Sequence, residues 1–194
     1  MSGLSSERIR QLVSPYYPGA TNLLIDQLGV YLDLLLRWNE RLNLTAIRTS
    51  EAIVERHFGE SLFLARHLPP ATRTLLDLGS GAGFPGLPVQ LALPELKVTL
   101  AESQQKKASF LREVVRELDL STEVWSSRAE TLPAARTFDV VAMRAVDNTP
   151  AALRLARRLV SPGGTLAHLT SRNAVSGLSL EVTGTQAFYP LAKR

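Results

Sequence analysis

The sequence of 194 residues contains no cysteine. Without thiols the chain cannot form a disulfide, a thiolate zinc site or an iron–sulfur cluster, and it has no cysteine nucleophile. Its three histidines, His57, His67 and His168, share no spacing typical of metal ligands. We therefore predict no metal site and no thiol chemistry.

The sequence also lacks an uninterrupted apolar run of about 18 residues, the length that crosses a bilayer. Its first residues, MSGLSSERIRQLV, have no apolar core of the kind that signal peptides carry. At about 150 residues per domain, the length predicts one domain, with at most an appendage. We expect a soluble, cytoplasmic protein that does not enter a membrane.

Acidic residues are fewer than basic ones, 18 against 22, which leaves a net charge of +4. This modest excess favours a polyanionic partner. Eight arginines are candidates for phosphate contacts: Arg37, Arg41, Arg48, Arg56, Arg154, Arg157, Arg158 and Arg172. For any single one of them a solvated helix face is the simpler interpretation.

Two helical patterns occupy the first third of the chain. Apolar residues recur at helical spacing over residues 22–38, from Leu24 to Trp38. A second pattern begins at Ser50 and continues to Leu68, where prolines end it. We predict one helix for each pattern.

From Arg73 onward, short apolar runs alternate with helical patterns, which is typical of βαβ units around a mostly parallel sheet. The predicted strands are 74–78, 97–100, 122–125, 138–143 and 165–169, and the predicted helices are 87–93, 105–118 and one starting at Pro150 behind a Thr149 cap. Beyond Ser171, alternation at Leu178, Leu180 and Val182 and the segment QAFYPLA suggest further strands. We predict a Rossmann-like α/β sheet with helices on both faces, residues 71–194, and a helical extension packed on it, residues 1–70.

The strongest motif is LLDLGSGAGFPG, residues 75–86, in which a strand runs into a glycine-rich turn and then a helix. Such a turn lets the backbone approach a ligand, and the following helix offers unpaired amide donors. A dinucleotide fingerprint, G-x-G-x-x-G, would need glycine in place of Phe84. The pattern D-x-G-x-G-x-G instead resembles motif I of S-adenosylmethionine-dependent methyltransferases. Its candidate cofactor-binding residues are Asp77, Gly79, Gly81, Gly83 and Phe84.

Further candidates lie at the ends of the next three strands. Glu102 ends the second strand, where a carboxylate can accept hydrogen bonds from both ribose hydroxyls of a cofactor. Ala129 and Glu130 follow the third strand and are placed to flank an adenine ring. Arg144 ends the fourth strand, at the sheet edge where doubly wound folds bind ligands. Its guanidinium is a candidate active-site cation for the cofactor's carboxylate or a substrate phosphate.

Five segments in order, WNERLNLTAIR, ERHFGESL, DLGSGAGFPGLP, SRAETL and MRAV, resemble the bacterial 16S rRNA guanine-N7 methyltransferases, also called glucose-inhibited division protein B. The resemblance covers about residues 24–169. It implies a Rossmann-like domain that transfers a methyl group from S-adenosyl-L-methionine to N7 of a guanine in 16S ribosomal RNA or the small ribosomal subunit. Carried onto this chain, the cofactor-binding positions are Gly79, Phe84, Ala129, Glu130 and Arg144, with Glu102 at the ribose position of the general fold. We expect the protein to act as a monomer.

The end of the chain departs from this family. The family usually has a lysine–glycine step after the fifth strand, where this chain has Thr170 and Ser171, and it closes with a basic strand. The segment after Ser171 is short and weakly patterned. These departures keep open a catalytically silent, RNA-binding relative as an alternative function.

The residue types agree with methylation of a ring nitrogen or a hydroxyl. Guanine N7 has an exposed lone pair, so methyl transfer to it needs alignment and no general base. The chain has no cysteine for a C5-pyrimidine mechanism, and VDNTP, residues 146–150, lacks the Pro-Pro-aromatic step of amino-group methylation. A methyltransferase for a small acceptor remains a second alternative. A nicotinamide oxidoreductase is disfavoured by Phe84 in the third glycine position.

Overall fold

The computed structural model describes residues 3–144, 150–172, 175–182 and 185–190. At its centre is a seven-stranded sheet with strand order β3-β2-β1-β4-β5-β6-β7. The strands are β1 Thr74–Leu78, β2 Lys97–Ala101, β3 Glu123–Trp125, β4 Phe138–Arg144, β5 Val160–Arg172, β6 Val175–Val182 and β7 Thr185–Pro190. β1 to β5 are parallel, and β6 runs antiparallel to both of its neighbours. The prediction of a mostly parallel α/β sheet is confirmed.

Seven α-helices surround this sheet in the described parts of the chain. They are α1 Ser6–Val13, α2 Asn22–Asn39, α3 Ser50–Ile53, α4 Glu60–His67, α5 Gly86–Ala92, α6 Gln105–Glu117 and α7 Pro150–Leu159. α1 was not predicted; it begins after an N-cap at Ser5, whose side chain accepts a hydrogen bond from the Arg8 amide. The predicted cap at Thr149 lies outside the described residues. None of the described helices is both long and apolar enough to cross a membrane.

The segment after the fifth strand forms an antiparallel edge. β5 and β6 pair from Thr165 opposite Val182 to Arg172 opposite Val175. The alternating leucines predicted the strand correctly, since Leu178 and Leu180 are both buried. QAFYPLA contributes to β7, so the suggestion of further strands is also confirmed.

Side chains on the two faces of the sheet belong to two separate cores. Adjacent strand residues point to opposite faces, so Leu75 joins the larger core and Leu76 the smaller one. The larger core also takes in buried side chains of α1, α2, α4, α5 and α6, and the smaller one those of α7. The N-terminal helices therefore share one continuous core with the helices of the sheet. Helices on both faces, as predicted, bury the parallel strands on both sides.

The predicted single helix over residues 50–68 is wrong in its middle. The chain passes from α3 into a π-helical segment, Val54–Gly59, before α4 begins. Two carbonyls of this segment accept hydrogen bonds from side chains: Ser61 Oγ donates to His57 O at 2.6 Å, and Arg144 Nη2 donates to Arg56 O at 3.0 Å. These donors compensate for the altered backbone pattern. One of them comes from β4, so the sequence pattern of this segment could not reveal it.

The side chains of Asn39 and Thr45 order the segment between α2 and α3. Asn39 Oδ1 accepts hydrogen bonds from the amides of Leu44, at 2.9 Å, and Thr45, at 3.0 Å. Thr45 Oγ1 in turn lies 2.7 Å from His57 Nε2. Asn39 and Thr45 of the motif WNERLNLT therefore hold the end of α2 against the π-helical segment.

We expect Asn39→Ala to lower the free energy of unfolding by about 1–3 kcal/mol, because two part-buried amides lose their acceptor. Urea titration of the variant beside Asn43→Ala measures this. Asn43 is an exposed asparagine in the same loop, so its substitution controls for loss of an amide side chain. Equal destabilisation by both substitutions would contradict the role given to Asn39.

Candidate functional site

The glycine-rich turn between β1 and α5 is held from two sides. The amides of Gly79 and Ser80 donate to the carbonyl of Ala101 at the end of β2, at 3.0 and 3.1 Å. From α2, the buried Tyr31 hydroxyl donates to the carbonyl of Ala82. The turn is therefore anchored both to the sheet and to the helical extension.

Three glycines of the turn, Gly79, Gly81 and Gly83, adopt positive φ, and the surroundings of the last two differ. At Gly83, φ +91°, a Cβ would collide with Leu87 and would lie 2.7 Å from the Tyr31 hydroxyl. At Gly81, φ +57°, a Cβ would meet only the carbonyl of Gly79, at 3.9 Å. Packing accounts for the glycine at position 83. The space beside Gly81 is open, as expected where a backbone faces a ligand.

Asp77 lies beneath the turn and is completely buried. Its Oδ2 accepts a hydrogen bond of 2.8 Å from the amide of Gly86, where α5 begins. Its Oδ1 is buried and has no hydrogen-bond partner. Burial raises the pKa of Asp77 to about 7, and the Gly86 hydrogen bond opposes that rise. In this structure the carboxylate of Asp77 supports the turn from below.

Glu102 connects the end of β2 to the turn. Its Oε2 accepts a hydrogen bond from the amide of Gly81 at 3.0 Å, and its Oε1 accepts one from the amide of Gln104 at 2.7 Å. Only 6% of the residue is exposed. Two backbone donors therefore fix the carboxylate at the carboxyl-terminal edge of the sheet.

A cavity of about 360 Å³ opens at this edge. Its lining residues are Leu78, Gly79, Ala101, Glu102, Ser103, Ser127, Arg128, Ala129, Glu130, Ala151, Ala152 and Leu155. Four of the residues predicted from the sequence, Gly79, Glu102, Ala129 and Glu130, thus come together around one space. The volume lies within the range of about 300–1,000 Å³ that is typical of small-molecule sites.

The cavity fits a nucleoside-containing cofactor. Each oxygen of Glu102 accepts one amide hydrogen bond and keeps a lone pair for a ribose hydroxyl. The methyl groups of Ala101 and Ala152 and the side chain of Leu155 give an aromatic base an apolar surface. A hydrogen-bond acceptor for the ribose hydroxyls beside an apolar wall for the base suits an adenosine moiety.

Arg144 is not among the lining residues of that cavity. At the end of β4 its Nη2 lies 2.9 Å from Oε2 of Glu60 on α4, and both side chains are only 14% exposed. Its Nη1 is buried without a hydrogen-bond partner. Burial lowers the pKa of Arg144 and raises the pKa of Glu60, while their mutual attraction opposes both changes. The pair keeps one guanidinium donor unused near the glycine-rich turn.

The ring of Phe84 lies in an aromatic cluster between the turn and the helical extension. It stacks on His57 with a centroid distance of 4.7 Å and on Tyr31 with one of 5.5 Å. The guanidinium of Arg144 lies 5.8 Å from its centroid. Burial, followed by Arg144 and Arg56, lowers the pKa of His57 to about 3. His57 is therefore a neutral packing partner of Phe84 at physiological pH.

Tyr31, His57 and Glu60 were not predicted as site residues, although each contacts one: Tyr31 and His57 stack on Phe84, and Glu60 pairs with Arg144. His57 and Glu60 belong to ERHFGESL, a segment that carried the family resemblance. That resemblance was the only available signal, since helical periodicity marks only the apolar face of the segment. The predicted site residues fall into two groups. The cavity is lined by Gly79, Glu102, Ala129 and Glu130. The residues that do not line it are Asp77, Gly81, Gly83, Phe84 and Arg144.

The raised pKa of Asp77 predicts a specific pH dependence. The folded chain keeps the Asp77 proton up to about pH 7, whereas the unfolded chain releases it near the ordinary value of 3.8. The resulting stabilisation is complete below the unfolded pKa and is lost as the pH rises through 7. We expect the free energy of unfolding of the wild type, relative to Asp77→Asn, to fall by roughly 2–4 kcal/mol between about pH 4 and pH 8.

Urea titrations of both proteins across this range measure the difference. His57, with its pKa lowered to about 3, contributes a slope of the opposite sign below pH 6.5. Because both proteins contain His57, its contribution cancels in the comparison. A difference that stays constant with pH would contradict a raised pKa of Asp77.

The fold of this chain resembles that of a solved structure, and its sequence resembles those of other relatives. The glycopeptide N-methyltransferase MtfA, complexed with (S)-adenosyl-L-methionine, superimposes with a TM-score of 0.51 at 18% identity, over 70% of this chain and 65% of that one. The chain is 43% identical over 137 residues to the ribosomal RNA small subunit methyltransferase G of Xanthomonas euvesicatoria pv. vesicatoria. It is 45% identical over 141 residues to the protein of the same name from Chloroflexus aggregans. Each alignment covers 70% of this chain, and this chain spans 64% and 59% of those two relatives.

The sheet and the flanking helices thus have the fold of class I S-adenosylmethionine-dependent methyltransferases. The model of the rRNA small subunit methyltransferase G family, GidB, matches residues 24–181. The chain belongs to that family. The matched range begins within α2 and includes the π-helical segment and the glycine-rich turn, whereas α1 lies outside it.

Proposed function

We propose that this chain transfers a methyl group from S-adenosyl-L-methionine to N7 of a guanine in 16S ribosomal RNA. The observation that carries the proposal is the Glu102 carboxylate, which lies in the cavity at the sheet edge and is hydrogen-bonded to the Gly81 amide. Membership in the family supports ribosomal RNA as the acceptor. The chain spans less than two thirds of the length of these two relatives.

Four residues would hold the cofactor. Glu102 would accept the ribose hydroxyls, Gly79 would let the turn approach the ligand, and Ala129 and Glu130 would flank the adenine. S-adenosylmethionine, when bound, supplies a methyl group on a positively charged sulfur. The remaining catalytic work of the chain is to orient the acceptor and exclude water.

Guanine N7 suits the residues near the turn. Its in-plane lone pair can accept a methyl group without a general base or a covalent nucleophile. The methylated base is a cation, so an uncompensated positive charge beside it would oppose the reaction. Glu60 Oε2 lies 2.9 Å from Arg144 Nη2 and compensates its charge. The pair therefore carries no net charge, and Arg144 can still donate a hydrogen bond. Arg144 remains our candidate active-site cation.

The acceptor, the location and the oligomeric state belong to the same proposal. The partner would be 16S ribosomal RNA, free or within the small ribosomal subunit, and the site of action would be the cytoplasm, where bacterial ribosomes are. We further propose that the chain works as a monomer. Sedimentation velocity over a range of concentrations would reveal a dimer if this is wrong.

The test is transfer of radiolabel from S-adenosylmethionine to small ribosomal subunits from a strain without its own enzyme of this kind. We expect label in N7-methylguanosine, identified by mass spectrometry. Glu102→Ala should abolish both label and calorimetric cofactor binding, whereas Glu95→Ala, at an exposed acid just before β2, should change neither. Cofactor binding without label in the RNA would instead favour another acceptor or a catalytically silent relative.

A further inference from the structure

A second cavity, of about 650 Å³, lies between the end of α2 and the first turns of α6. Its lining includes Arg37, Trp38, Arg41, Lys106 and Glu113, and we call it the α2–α6 groove. It shares no lining residue with the cofactor cavity. The role proposed above for the chain leaves this groove unexplained.

The cations of the groove are available to a ligand. Arg37, Arg41 and Lys106 are exposed. The ion pairs Arg8–Glu51, Arg136–Glu123 and Arg144–Glu60 all lie outside the groove. Arg37 lies in the last turn of α2 and Arg41 in the turn that follows the helix, and both line the groove. Three unpaired cations around a cleft are suited to a phosphate.

The groove also offers groups that contact a base. Trp38 is half-buried, and its ring packs against Phe110 at a centroid distance of 5.7 Å. An indole held in this way provides a rigid aromatic surface on which a base can stack. The carboxylates of Glu40 and Glu113 line the same space and can accept hydrogen bonds from the ring N–H or amino group of a base. Cations, an aromatic ring and acceptors together match a nucleotide more closely than a simple anion.

The position of the groove relates it to the cofactor cavity. Ser103 lines the cavity and Lys106 lines the groove, so the two spaces flank the start of α6. Three residues span at most about 11 Å of chain. The two spaces therefore lie close to each other at this end of α6.

We propose that the α2–α6 groove binds one single-stranded nucleotide of the RNA substrate, with its phosphate against Arg37, Arg41 and Lys106 and its base against Trp38. This inference rests on the proposed function, because it supplies the contact that holds the RNA beside the cofactor cavity. It also gives Trp38 and Arg41, in the motif WNERLNLT, a role that the cofactor cavity does not explain.

The first experiment measures affinity for a fluorescein-labelled single-stranded RNA of about ten nucleotides and mixed sequence by anisotropy at several salt concentrations. The groove variant is Arg37→Gln with Arg41→Gln and Lys106→Gln. The control variant, Arg66→Gln with Lys97→Gln and Arg116→Gln, removes the same charge from three exposed residues outside the groove. Thermal unfolding and calorimetric cofactor binding of both variants establish that each is folded.

We expect the groove variant to bind the RNA at least about tenfold more weakly, with a slope of log affinity against log salt smaller by about 2. The control variant should lose less than about threefold, and cofactor affinity should be unchanged in both. Equal weakening by the two variants would show that only net charge matters and would overturn the inference. Wild-type affinity in the groove variant would overturn it as well.

The second experiment uses Trp38 as a reporter. The chain contains two tryptophans, so Trp125→Phe leaves Trp38 as the only one. We expect the RNA to quench its fluorescence, and the groove substitutions added to Trp125→Phe to remove the quenching at the same RNA concentration. RNA binding without quenching would place the RNA elsewhere and contradict the inference.

Failure of the inference and failure of the proposed function give different results. Methyl transfer to the small subunit by the wild type, with the groove variant equal to the control variant in RNA affinity, refutes the groove alone. Groove-dependent RNA binding without any methyl transfer by the wild type refutes the proposed reaction and retains the groove as an RNA site.

Discussion

Gly81→Val should abolish cofactor binding and leave the chain folded. A Cβ at this position meets only the Gly79 carbonyl, at 3.9 Å, so packing tolerates the side chain. The positive φ of +57° costs roughly 1–2 kcal/mol for a residue with a Cβ. The valine then occupies the open space beside the turn and disturbs the Gly81–Glu102 hydrogen bond. Isothermal titration with S-adenosylmethionine should show at least about a hundredfold loss of affinity, which corresponds to about 2.7 kcal/mol.

Gly83→Ala provides the contrast for this prediction. There the added Cβ would collide with Leu87 and approach the Tyr31 hydroxyl to 2.7 Å, at a φ of +91°. We expect loss of stability, by about 2–4 kcal/mol, as the main effect. If Gly81→Val instead unfolds the chain, or if it binds the cofactor with wild-type affinity, the turn does not face the ligand as proposed.

Arg144→Met should lower the free energy of unfolding by about 3–5 kcal/mol and reduce methyl transfer. The substitution leaves the Glu60 carboxylate, 14% exposed, without its partner at 2.9 Å. It also removes the donor to the Arg56 carbonyl in the π-helical segment. Since a charged hydrogen bond near the reacting groups is worth about 1–3 kcal/mol, we expect kcat/KM to fall roughly tenfold to a hundredfold.

The double variant Arg144→Met with Glu60→Gln separates the two effects. Removing the second charge should recover most of the lost stability, as is common when both members of a buried ion pair are replaced. Activity should stay low, because the guanidinium donor is still missing. Recovery of both stability and methyl transfer would mean that Arg144 serves only to neutralise Glu60. Glu60→Gln alone, which retains Arg144, is the matched control.

Local patterns predicted the parallel part of the fold well. β1 lies at the predicted bounds and β2 to β4 differ from them by one residue each, whereas β5, predicted at 165–169, covers Val160–Arg172. Short apolar runs between helical patterns indicate strands but do not mark where each strand ends. Helical spacing predicted a single helix over residues 50–68, and that prediction was wrong. The apolar face there is helical throughout, and the π-helical segment is stabilised by Arg144 from a distant strand.

The candidate site was predictable to the extent that its residues lie at strand ends. Gly79, Glu102, Ala129 and Glu130 converge because parallel strands place their carboxyl ends at one edge of a sheet. Phe84 and Arg144 share the motifs but have their side chains on the side of the helical extension. The direction of a side chain at the end of a strand depends on its tertiary neighbours, and no spacing in the sequence encodes it.

Local sequence patterns specify the class of fold, the glycine-rich turn and the acid that follows β2. These are local properties, since they depend on periodicity, on glycine and on the order of strands and helices along the chain. Three other features emerge only from the folded chain: Glu60 neutralises Arg144, Tyr31 anchors the turn, and α2 and α6 form a groove. Each of these contacts joins residues far apart in sequence. They exist because the larger core brings the helical extension against the sheet.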